Sequence, residues 1–301
     1  MTLDGWIEQY LDHLRFERAL SQNTVGAYAT DLAKFAAFLE SEGCSDLRSI
    51  DLGRISAWLR SLSKSGLGPR SAARHLSSVR GFLRFLLREG EILEDPASLA
   101  ARPKIGRRLP RTLSESEMQR LIGAPDVSTV RGLRDRAMLT LAYSAGLRVS
   151  ELVTLRLGDV DRQKGVISAY GKGSKHRLVP IGVIALDHVD AYLKALSTAS
   201  SARRRRRAES PYLFSTPRGR PLTRQAFWKA VRRYSRAAGL KMPAYPHQLR
   251  HAFASHLLAG GADLRSVQIL LGHADIITTE VYTHVTRDHV WEAHRRSHPR
   301  G

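Results

Sequence analysis

The sequence predicts a mainly α protein with a small β-sheet, organised as two domains. Apolar residues recur at steps of three and four through residues 1–108, which is typical of amphipathic helices. Three prolines then interrupt the helical pattern, at Pro96, Pro103 and Pro110. Beyond them, two β-rich runs on either side of a Gly-rich turn add strand signals to a sequence that is otherwise helical. A chain of 301 residues is long enough for two ordinary domains.

The first domain, residues 1–108, contains two segments with clear helical spacing. In the first, NTVGAYATDLAKFAAFLESEG, Asn23 is the predicted N-cap and Gly43 follows the end of the helix. Its apolar face comprises Val25, Tyr28, Leu32, Phe35 and Leu39. This spacing predicts an amphipathic helix that packs on a small core.

The second segment, PRSAARHLSSVRGFLRFLLREG, has an apolar face and a basic face. The apolar positions are Leu76, Val79, Leu83 and Leu86. The opposite face carries Arg70, Arg74, Ser77, Gly81, Arg84 and Arg88. A solvated charged face is the ordinary interpretation, and DNA phosphate contacts through Arg70, Arg74 and Arg84 are the alternative. The sequence of this helix leaves both open.

The boundary between the two predicted domains lies near residue 108. The prolines end the helical pattern there, and Ser114 with Glu117 has the spacing of a capping box that opens a new helix. The second domain is therefore predicted to span residues 109–301.

Charge is the strongest compositional signal. The chain has 48 Lys and Arg against 28 Asp and Glu, a net charge of +20, and a sequence pI near 10.8. Residues 109–301 carry 32 basic and 15 acidic side chains, so the second domain is the stronger candidate for a polyanionic partner such as nucleic acid. We find no apolar run of spanning length and no lipidation signal, and Asp4 is acidic where a secretory leader is basic. These features predict a cytoplasmic protein without a membrane partner.

The β-rich runs, residues 166–170 and 177–181, predict a β-hairpin whose turn carries Lys172. The sequence YGKGSK within it suggests a nucleotide-binding loop, but the spacing excludes one. Five residues rather than four separate the glycines, Lys172 is followed by Gly173, and the next element is a strand rather than a helix. An ordinary exposed turn is the remaining interpretation of the residues alone.

Candidate chemistry concentrates in residues 246–285. If residues 247–258 are helical, His247, Arg250 and His251 share one face, and His247 and Arg250 can point at one ligand. The segment lacks the Glu of a His-Glu-x-x-His zinc helix, and no carboxylate cluster suits a metal-dependent nuclease. The single cysteine, Cys44, excludes a multi-thiolate zinc site and an internal disulfide framework. We therefore expect no metal and no other cofactor.

Six positions resemble, in order and in context, the catalytic set of the tyrosine site-specific recombinases. They are Arg148 in AGLRVSEL, Lys172 in GKGSKHR, His247 and Arg250 in HQLRH, His273 in LLGH, and Tyr282 in TTEVYTHV. The resemblance extends over essentially the whole chain, and WEAHRRSHPR at its end resembles the chromosome-dimer resolvases of the family. It implies a two-domain, C-shaped DNA clamp, with a helical, SAM-like core-binding domain and an α+β catalytic domain.

The resemblance also implies a role for each of these residues. Arg148 and Arg250 are expected to clamp the scissile phosphate, and Tyr282 is expected to attack it with His247 as general base. Lys172 is expected to protonate the leaving 5′ hydroxyl, and His273 to donate a hydrogen bond to the phosphate. The resulting 3′-phosphotyrosyl bond keeps the phosphodiester energy, so neither ATP nor a metal is needed.

The implied partners are a double-stranded DNA recombination site, a related recombinase in a heterotetramer, and an FtsK-type DNA translocase. Three alternatives remain. They are a type IB topoisomerase that relaxes DNA alone, a DNA-binding protein without catalysis, and a phage-type integrase, which commonly has an additional arm-binding domain. The remaining histidines of the region, His251, His256 and His284, are assigned mainly to structure. The arginine run at residues 203–207 is assigned to a solvated loop that adds salt-dependent DNA affinity.

Overall fold

The computed structural model describes residues 2–18, 20–44, 46–101, 112–170, 176–198, 210–272 and 284–300, with only the backbone of residues 284–289. Over these ranges the chain is mainly helical with one three-stranded antiparallel sheet, which confirms the predicted mainly α class. Contacts between Cα atoms divide the chain into two compact units, Met1–Leu109 and Pro110–Gly301. None of the described helices is both long and apolar enough to cross a membrane.

The described part of the first unit is helical. Its helices are α1 Leu3–Asp12, α2 Gln22–Ser41, α3 Leu52–Lys64 and α4 Pro69–Arg88. A π-helical turn, His13–Glu17, continues α1, and a short 3₁₀ helix, Leu47–Ser49, lies between α2 and α3. Phe35, Trp58 and Phe82 are fully buried in the core between these helices. Burial of a large apolar side chain stabilises a fold by about 1.5–3 kcal/mol, so each of these residues contributes substantially to the stability of the unit.

α2 begins two residues earlier than its sequence pattern predicts. Its N-cap is Ser21, whose Oγ accepts a hydrogen bond from the Thr24 amide at 3.4 Å. The prediction of Asn23 as N-cap is wrong, since Asn23 lies inside the helix. Ser and Asn cap helices about equally well, so the identity of the residue does not distinguish the two positions.

α4 has the two faces that its sequence predicts. The four predicted core residues Leu76, Val79, Leu83 and Leu86 are all buried. Arg70 and Arg84 are exposed. Gly81 departs from the pattern, because a Cβ atom there would lie 2.2 Å from the Tyr10 hydroxyl oxygen. Gly81 is thus a close contact between α4 and α1 and does not belong to the basic face.

The second unit combines helices with the small sheet. Its described α-helices are α5 Glu115–Gly123, α6 Val130–Ser144, α7 Val149–Thr154, α8 Val183–Thr198, α9 Arg224–Ala237, α10 Pro246–Ala259, α11 Leu264–Leu271 and α12 His284–Ser297. The capping box predicted at the start of α5 is confirmed. Ser114 N donates to Glu117 Oε2 at 3.0 Å, and Glu117 N donates to Ser114 Oγ at 3.2 Å. Tyr143 and Phe253 are among the fully buried residues of this unit's core.

The sheet has the strand order β1–β2–β3, formed by Val160–Asp161, Val166–Tyr170 and His176–Pro180. β2 and β3 are the predicted antiparallel pair. Alternate residues of β3 face the core, so Arg177 and Val179 are buried on the same side of the strand. A buried guanidinium is costly unless it is paired and hydrogen-bonded, and the partners of Arg177 lie at the candidate site.

The C-terminal helix α12 packs against its own unit. It contacts α10, α11 and β3, and Val290 and Ala293 are buried. His294 is also buried, and its Nε2 donates to the Ser144 carbonyl oxygen at 2.8 Å. The His298 ring stacks on that of His294, with 5.1 Å between centroids and 5° between planes. α12 is therefore part of the core of the second unit.

Candidate functional site

Three arginines from three different elements hold the carboxyl end of α11. Each guanidinium donates a hydrogen bond to one of three consecutive carbonyl groups. The pairs are Arg177 Nε to Leu270 O (2.8 Å), Arg250 Nη2 to Leu271 O (2.5 Å) and Arg148 Nη2 to Gly272 O (3.0 Å). The last carbonyls of a helix have no partner within the helix and carry partial negative charge, so the three cations both satisfy and neutralise them.

Local structure determines how two of these arginines reach α11. Arg148 is the N-cap residue of α7 and follows a turn at Gly146, where φ is 53°. Arg250 lies one turn into α10, and its Nη1 donates to the Gly146 carbonyl at 2.6 Å. A Cβ atom at Gly146 would lie 2.4 Å from Phe253, which belongs to the same helix as Arg250. A glycine is thus required where α6 leads into α7 and passes over α10.

Glu151 is the carboxylate that joins two of the guanidiniums. Its side chain is 3% exposed and accepts two hydrogen bonds from Arg177, each of 2.9 Å. It also accepts two from Arg148, one from Nη1 and one from the backbone amide, each of 2.8 Å. Burial raises the pKa of Glu151, but the hydrogen bonds and charge of Arg177, and then those of Arg148, outweigh burial and leave the pKa below its ordinary value. Glu151 is therefore ionised.

Positive charge is in excess at this site. Its described part has three guanidiniums, those of Arg148, Arg177 and Arg250, around the single carboxylate of Glu151. Burial, followed by the charges of Arg148 and Arg177, lowers the pKa of Arg250 to about 10, which leaves it protonated near neutral pH. A phosphate suits this arrangement, because forked guanidinium donors match its oxygens. No group of three His, Cys, Asp or Glu side chains in the described ranges is placed to hold a metal ion.

His247 is exposed in the first turn of α10, which confirms the helix predicted over residues 247–258. His247 and Arg250 are three residues apart and therefore lie on the same side of this helix. The His247 ring stacks on that of Tyr245, with 5.8 Å between centroids and 5° between planes. His251 is exposed as well. His256 is buried, and its Nδ1 lies 2.8 Å from the Tyr143 hydroxyl, which confirms a structural role.

Three of the six predicted catalytic residues, Lys172, His273 and Tyr282, lie outside the described residues, as do the arginines at 203–207. For His284 only the backbone is described, at the start of α12. The structure therefore brings together Arg148 and Arg250 and places His247 on the helix that carries Arg250. Whether the other three residues join them stays a prediction.

Sequence reasoning missed Arg177 and Glu151. Arg177 has a signal in the alternation of β3, since it occupies the same face as Val179 and so must point inward. Glu151 has one in its spacing, because an acidic residue three positions after an N-cap bonds back to the helix start. Neither signal identifies the partner, which in the case of Arg177 is 26 residues away in sequence.

In the first unit, the three arginines predicted to contact DNA have different surroundings. Arg70 is exposed, and Arg84 is exposed with its Nε donating to the Arg80 carbonyl at 3.2 Å. Arg74 is half exposed and forms an ion pair with Asp31, whose side chain is fully buried. Arg74 therefore connects α4 to α2, while Arg70 and Arg84 have no such tie among the described residues.

Two family models match the chain. Residues 111–289 match the phage integrase family, and residues 7–90 match its N-terminal SAM-like domain. The chain belongs to the phage integrase family. It is a tyrosine recombinase, an enzyme that cleaves and rejoins DNA strands.

Relatives of similar length match nearly the whole recombinase. Tyrosine recombinase XerD of Pseudomonas aeruginosa is 45% identical over 297 residues, which cover 98% of this chain and 97% of the relative. XerD of Shewanella oneidensis is 42% identical, with 99% and 98% covered, and XerD of Listeria innocua is 40% identical, with 99% and 100% covered. These relatives identify the recombinase as site-specific and similar to XerD.

Solved structures support the fold. XerH recombinase bound to a palindromic difH substrate matches with a TM-score of 0.71 at 24% identity, over 95% of this chain and 83% of that one. A lambda integrase dimer bound to a COC′ core site matches with a TM-score of 0.69 at 22% identity, over 91% and 96%. The family models and the XerD relatives favour a recombinase over a topoisomerase or a non-catalytic DNA-binding protein.

Proposed function

We propose that this recombinase cuts and rejoins one specific DNA site through a 3′-phosphotyrosyl bond to Tyr282, and that it resolves chromosome dimers at cell division as an XerD-like enzyme. The observation that carries the proposal is the set of three arginines on consecutive carbonyls of α11, with Glu151 as the one carboxylate that pairs with them among the described residues. His273 follows these carbonyls directly in the sequence, and Tyr282 lies nine residues further on. The nearly full-length similarity to XerD relatives supports the cellular role.

Arg148 and Arg250 are the proposed phosphate clamp. Attack on a phosphodiester builds negative charge on the non-bridging oxygens, and donors that are already fixed in place stabilise this charge without reorganisation. Both guanidiniums are fixed, Arg148 by Glu151 and Gly272 and Arg250 by Gly146 and Leu271. Loss of one such donor typically slows a reaction by about 10²- to 10³-fold.

Tyr282 is the proposed nucleophile and His247 its base. A phenol has a reference pKa of about 10, so its proton must be removed near neutral pH, and an imidazole with a reference pKa of about 6.5 suits this task. The phenol proton passes to His247 as the bond from Tyr282 to phosphorus forms. The bond to the 5′ oxygen breaks, and Lys172 supplies the proton that this oxygen takes up. His273 donates a hydrogen bond to the phosphate.

The reaction conserves the energy of the phosphodiester in the phosphotyrosyl bond. A 5′ hydroxyl from a second duplex can therefore attack the same phosphorus and release Tyr282, with no ATP, metal or other cofactor. Repetition of this exchange on both strands of two duplexes recombines them.

The proposed partners follow from this scheme. Exchange between two duplexes requires four active subunits, and we propose a heterotetramer with a XerC-like recombinase on double-stranded DNA sites, with an FtsK-type translocase as a further partner. The reaction takes place on chromosomal DNA, which we place in the cytoplasm. The net charge of +20 supports a DNA partner.

The two domains have separate proposed tasks. Residues 1–108 form the core-binding domain, with Arg70, Arg74 and Arg84 directed to DNA phosphates, and the match to the SAM-like domain supports this assignment. Residues 109–301 form the catalytic domain. Together they are proposed to enclose DNA as a C-shaped clamp.

Tyr282→Phe tests the proposal on a nicked substrate that traps the covalent intermediate. The variant is expected to bind site DNA as the unchanged protein does, and to form no covalent adduct in a denaturing gel. Tyr245→Phe is a matched control that removes a phenol hydroxyl elsewhere in the unit, and it is expected to form the adduct. An adduct trapped with Tyr282→Phe would refute the assignment of Tyr282 as the nucleophile.

A further inference from the structure

Tyr245 occupies a position that its chemistry does not explain. It is the N-cap residue of α10, a position that favours Ser, Thr, Asp or Asn, because their short side chains accept a hydrogen bond from the first turn. The Tyr245 hydroxyl makes no such capping bond. Its backbone amide is satisfied by Gln248 Oε1 at 2.8 Å, a bond that any residue except proline could make. The phenol ring is therefore not required for the start of the helix.

The Tyr245 ring instead contacts two other aromatic groups. It stacks on His247, with 5.8 Å between centroids and 5° between planes. It also meets the indole of Trp228 from α9, with 6.0 Å between centroids and 35° between planes. The guanidinium of Arg232 covers the Trp228 ring, 4.8 Å from its centroid. Four planar groups thus form a row from α9 to the start of α10, in the order Arg232, Trp228, Tyr245 and His247. Within this row, Trp228 packs on the Tyr245 ring from the neighbouring helix α9.

Stacking has a consequence for an exposed imidazole. His247 is exposed, and in the described residues its one ring contact is with Tyr245. Without that contact the imidazole would sample several rotamers, since no other aromatic ring or guanidinium in the described residues stacks on it. A stacked aromatic pair favours one arrangement over the unstacked ones by about 2- to 12-fold. A general base acts only in the orientation that reaches its proton, so this bias changes the rate of proton removal.

We propose that Tyr245 is a positioning residue for His247, with Trp228 as its support, and that a ring takes the place of a helix cap here in order to orient the base. The inference rests on the proposed function of His247 as general base. It concerns the rate of covalent adduct formation and not the affinity for DNA.

Two substitutions at Tyr245 separate positioning from helix stability. Tyr245→Ser removes the ring but provides a preferred N-cap, so thermal stability is expected to stay the same or to rise. Tyr245→Phe keeps the ring and loses only the hydroxyl. In single-turnover cleavage of nicked site DNA, the Ser variant should form the adduct about 2- to 12-fold more slowly at unchanged DNA affinity, and the Phe variant should match the unchanged protein.

A role in folding alone predicts the opposite order, with the Ser variant at least as active as the unchanged protein. That result would overturn the proposal, and so would a loss of DNA affinity that accounts for the slower cleavage, because the ring would then bind DNA. An NMR experiment on the free protein tests the stack directly. The His247 ring protons should carry a ring-current shift that is kept in Tyr245→Phe and lost in Tyr245→Ser.

A double-mutant cycle with His247→Ala separates this proposal from the function on which it rests. If His247 is the base, His247→Ala alone slows adduct formation, and adding Tyr245→Ser should slow it no further. A further loss in the double variant would show that the ring acts elsewhere and would contradict positioning. Full activity of His247→Ala would instead refute the assignment of the base, whatever Tyr245 does.

Discussion

Replacement of Arg177 by methionine should destabilise the second unit more than the loss of a surface ion pair would. Arg177 is 4% exposed and donates three hydrogen bonds, two to Glu151 at 2.9 Å and one to the Leu270 carbonyl at 2.8 Å. Removal of one partner from a buried ion pair costs about 3–5 kcal/mol, because the other charge stays buried. Glu151 keeps Arg148 at 2.8 Å, so we expect the lower end of this range.

The assay for Arg177→Met is thermal unfolding of the full chain. In a unit of this size, 1 kcal/mol lowers the unfolding midpoint by about 2–4 °C, so about 3 kcal/mol corresponds to about 6–12 °C. Arg162→Met is a matched control. Its ion pair with Asp190, at 2.6 Å, joins side chains that are 58% and 51% exposed, and such pairs contribute at most about 1 kcal/mol.

A double variant tests the stated cause. If the cost arises from an uncompensated carboxylate, Glu151→Gln combined with Arg177→Met should be less destabilised than the sum of the two single variants. Equal midpoints for Arg177→Met and Arg162→Met, or strict additivity in the double variant, would refute the reasoning. At temperatures where Arg177→Met is folded, adduct formation should still be slower, because Glu151 and the end of α11 both lose a contact that orients the clamp.

Three further predictions concern pH, metals and α12. Burial, followed by the charges of His294 and His256, lowers the pKa of His298 to about 2. Between pH 6.5 and 2, His298 is therefore protonated in the unfolded chain but neutral in the folded one. The free energy of unfolding should fall as the pH drops below 6.5, and it should fall less steeply in His298→Phe. Chemical denaturation at several pH values measures both pH dependences. Adduct formation should proceed in excess chelator without nucleotide, and a loss that magnesium restores would contradict the mechanism. Gly260→Ala would place a Cβ atom 2.1 Å from the Ser297 carbonyl oxygen, so it should lower the unfolding midpoint and expose α12 to protease, while Gly158→Ala, with no atom within 4 Å, should do neither.

Sequence patterns predicted the features of the fold that depend on local periodicity. The apolar face of α4 is one such feature, because the burial of Leu76, Val79 and Leu83 follows from their spacing within one helix. The N-cap of α2 was misplaced from Ser21 to Asn23, because two good capping residues lie close together. The first residue of such a helix depends on which of two similar capping hydrogen bonds forms. The identities of the two capping residues do not determine which bond this is.

The candidate site was only partly predictable, because its main contacts join distant parts of the chain. The resemblance to recombinases identified Arg148 and Arg250, but nothing local indicated that Arg177 bonds to Leu270, 93 residues away. The packing of α12 was not predictable from the sequence either. Val290 and His294 are buried in the second unit, so a truncation that removes residues 289–301 would also remove part of its core and would not isolate contacts between subunits. Substitution of the partly exposed Trp291 is the better test of pairing between subunits.

The three arginines fix the length of α11 and the direction in which its last carbonyl groups point. One residue inserted into or deleted from α11 would rotate its last carbonyls by about 100° and shift them by about 1.5 Å, so all three guanidiniums would lose their acceptors together. Because Arg148 and Arg250 both hold the helix end and form the proposed clamp, a shift of α11 would disturb both clamp residues at once. A one-residue change in the length of this short helix would therefore slow catalysis more than the loss of a single arginine, whereas a one-residue change in an exposed loop of the unit would leave the clamp in place.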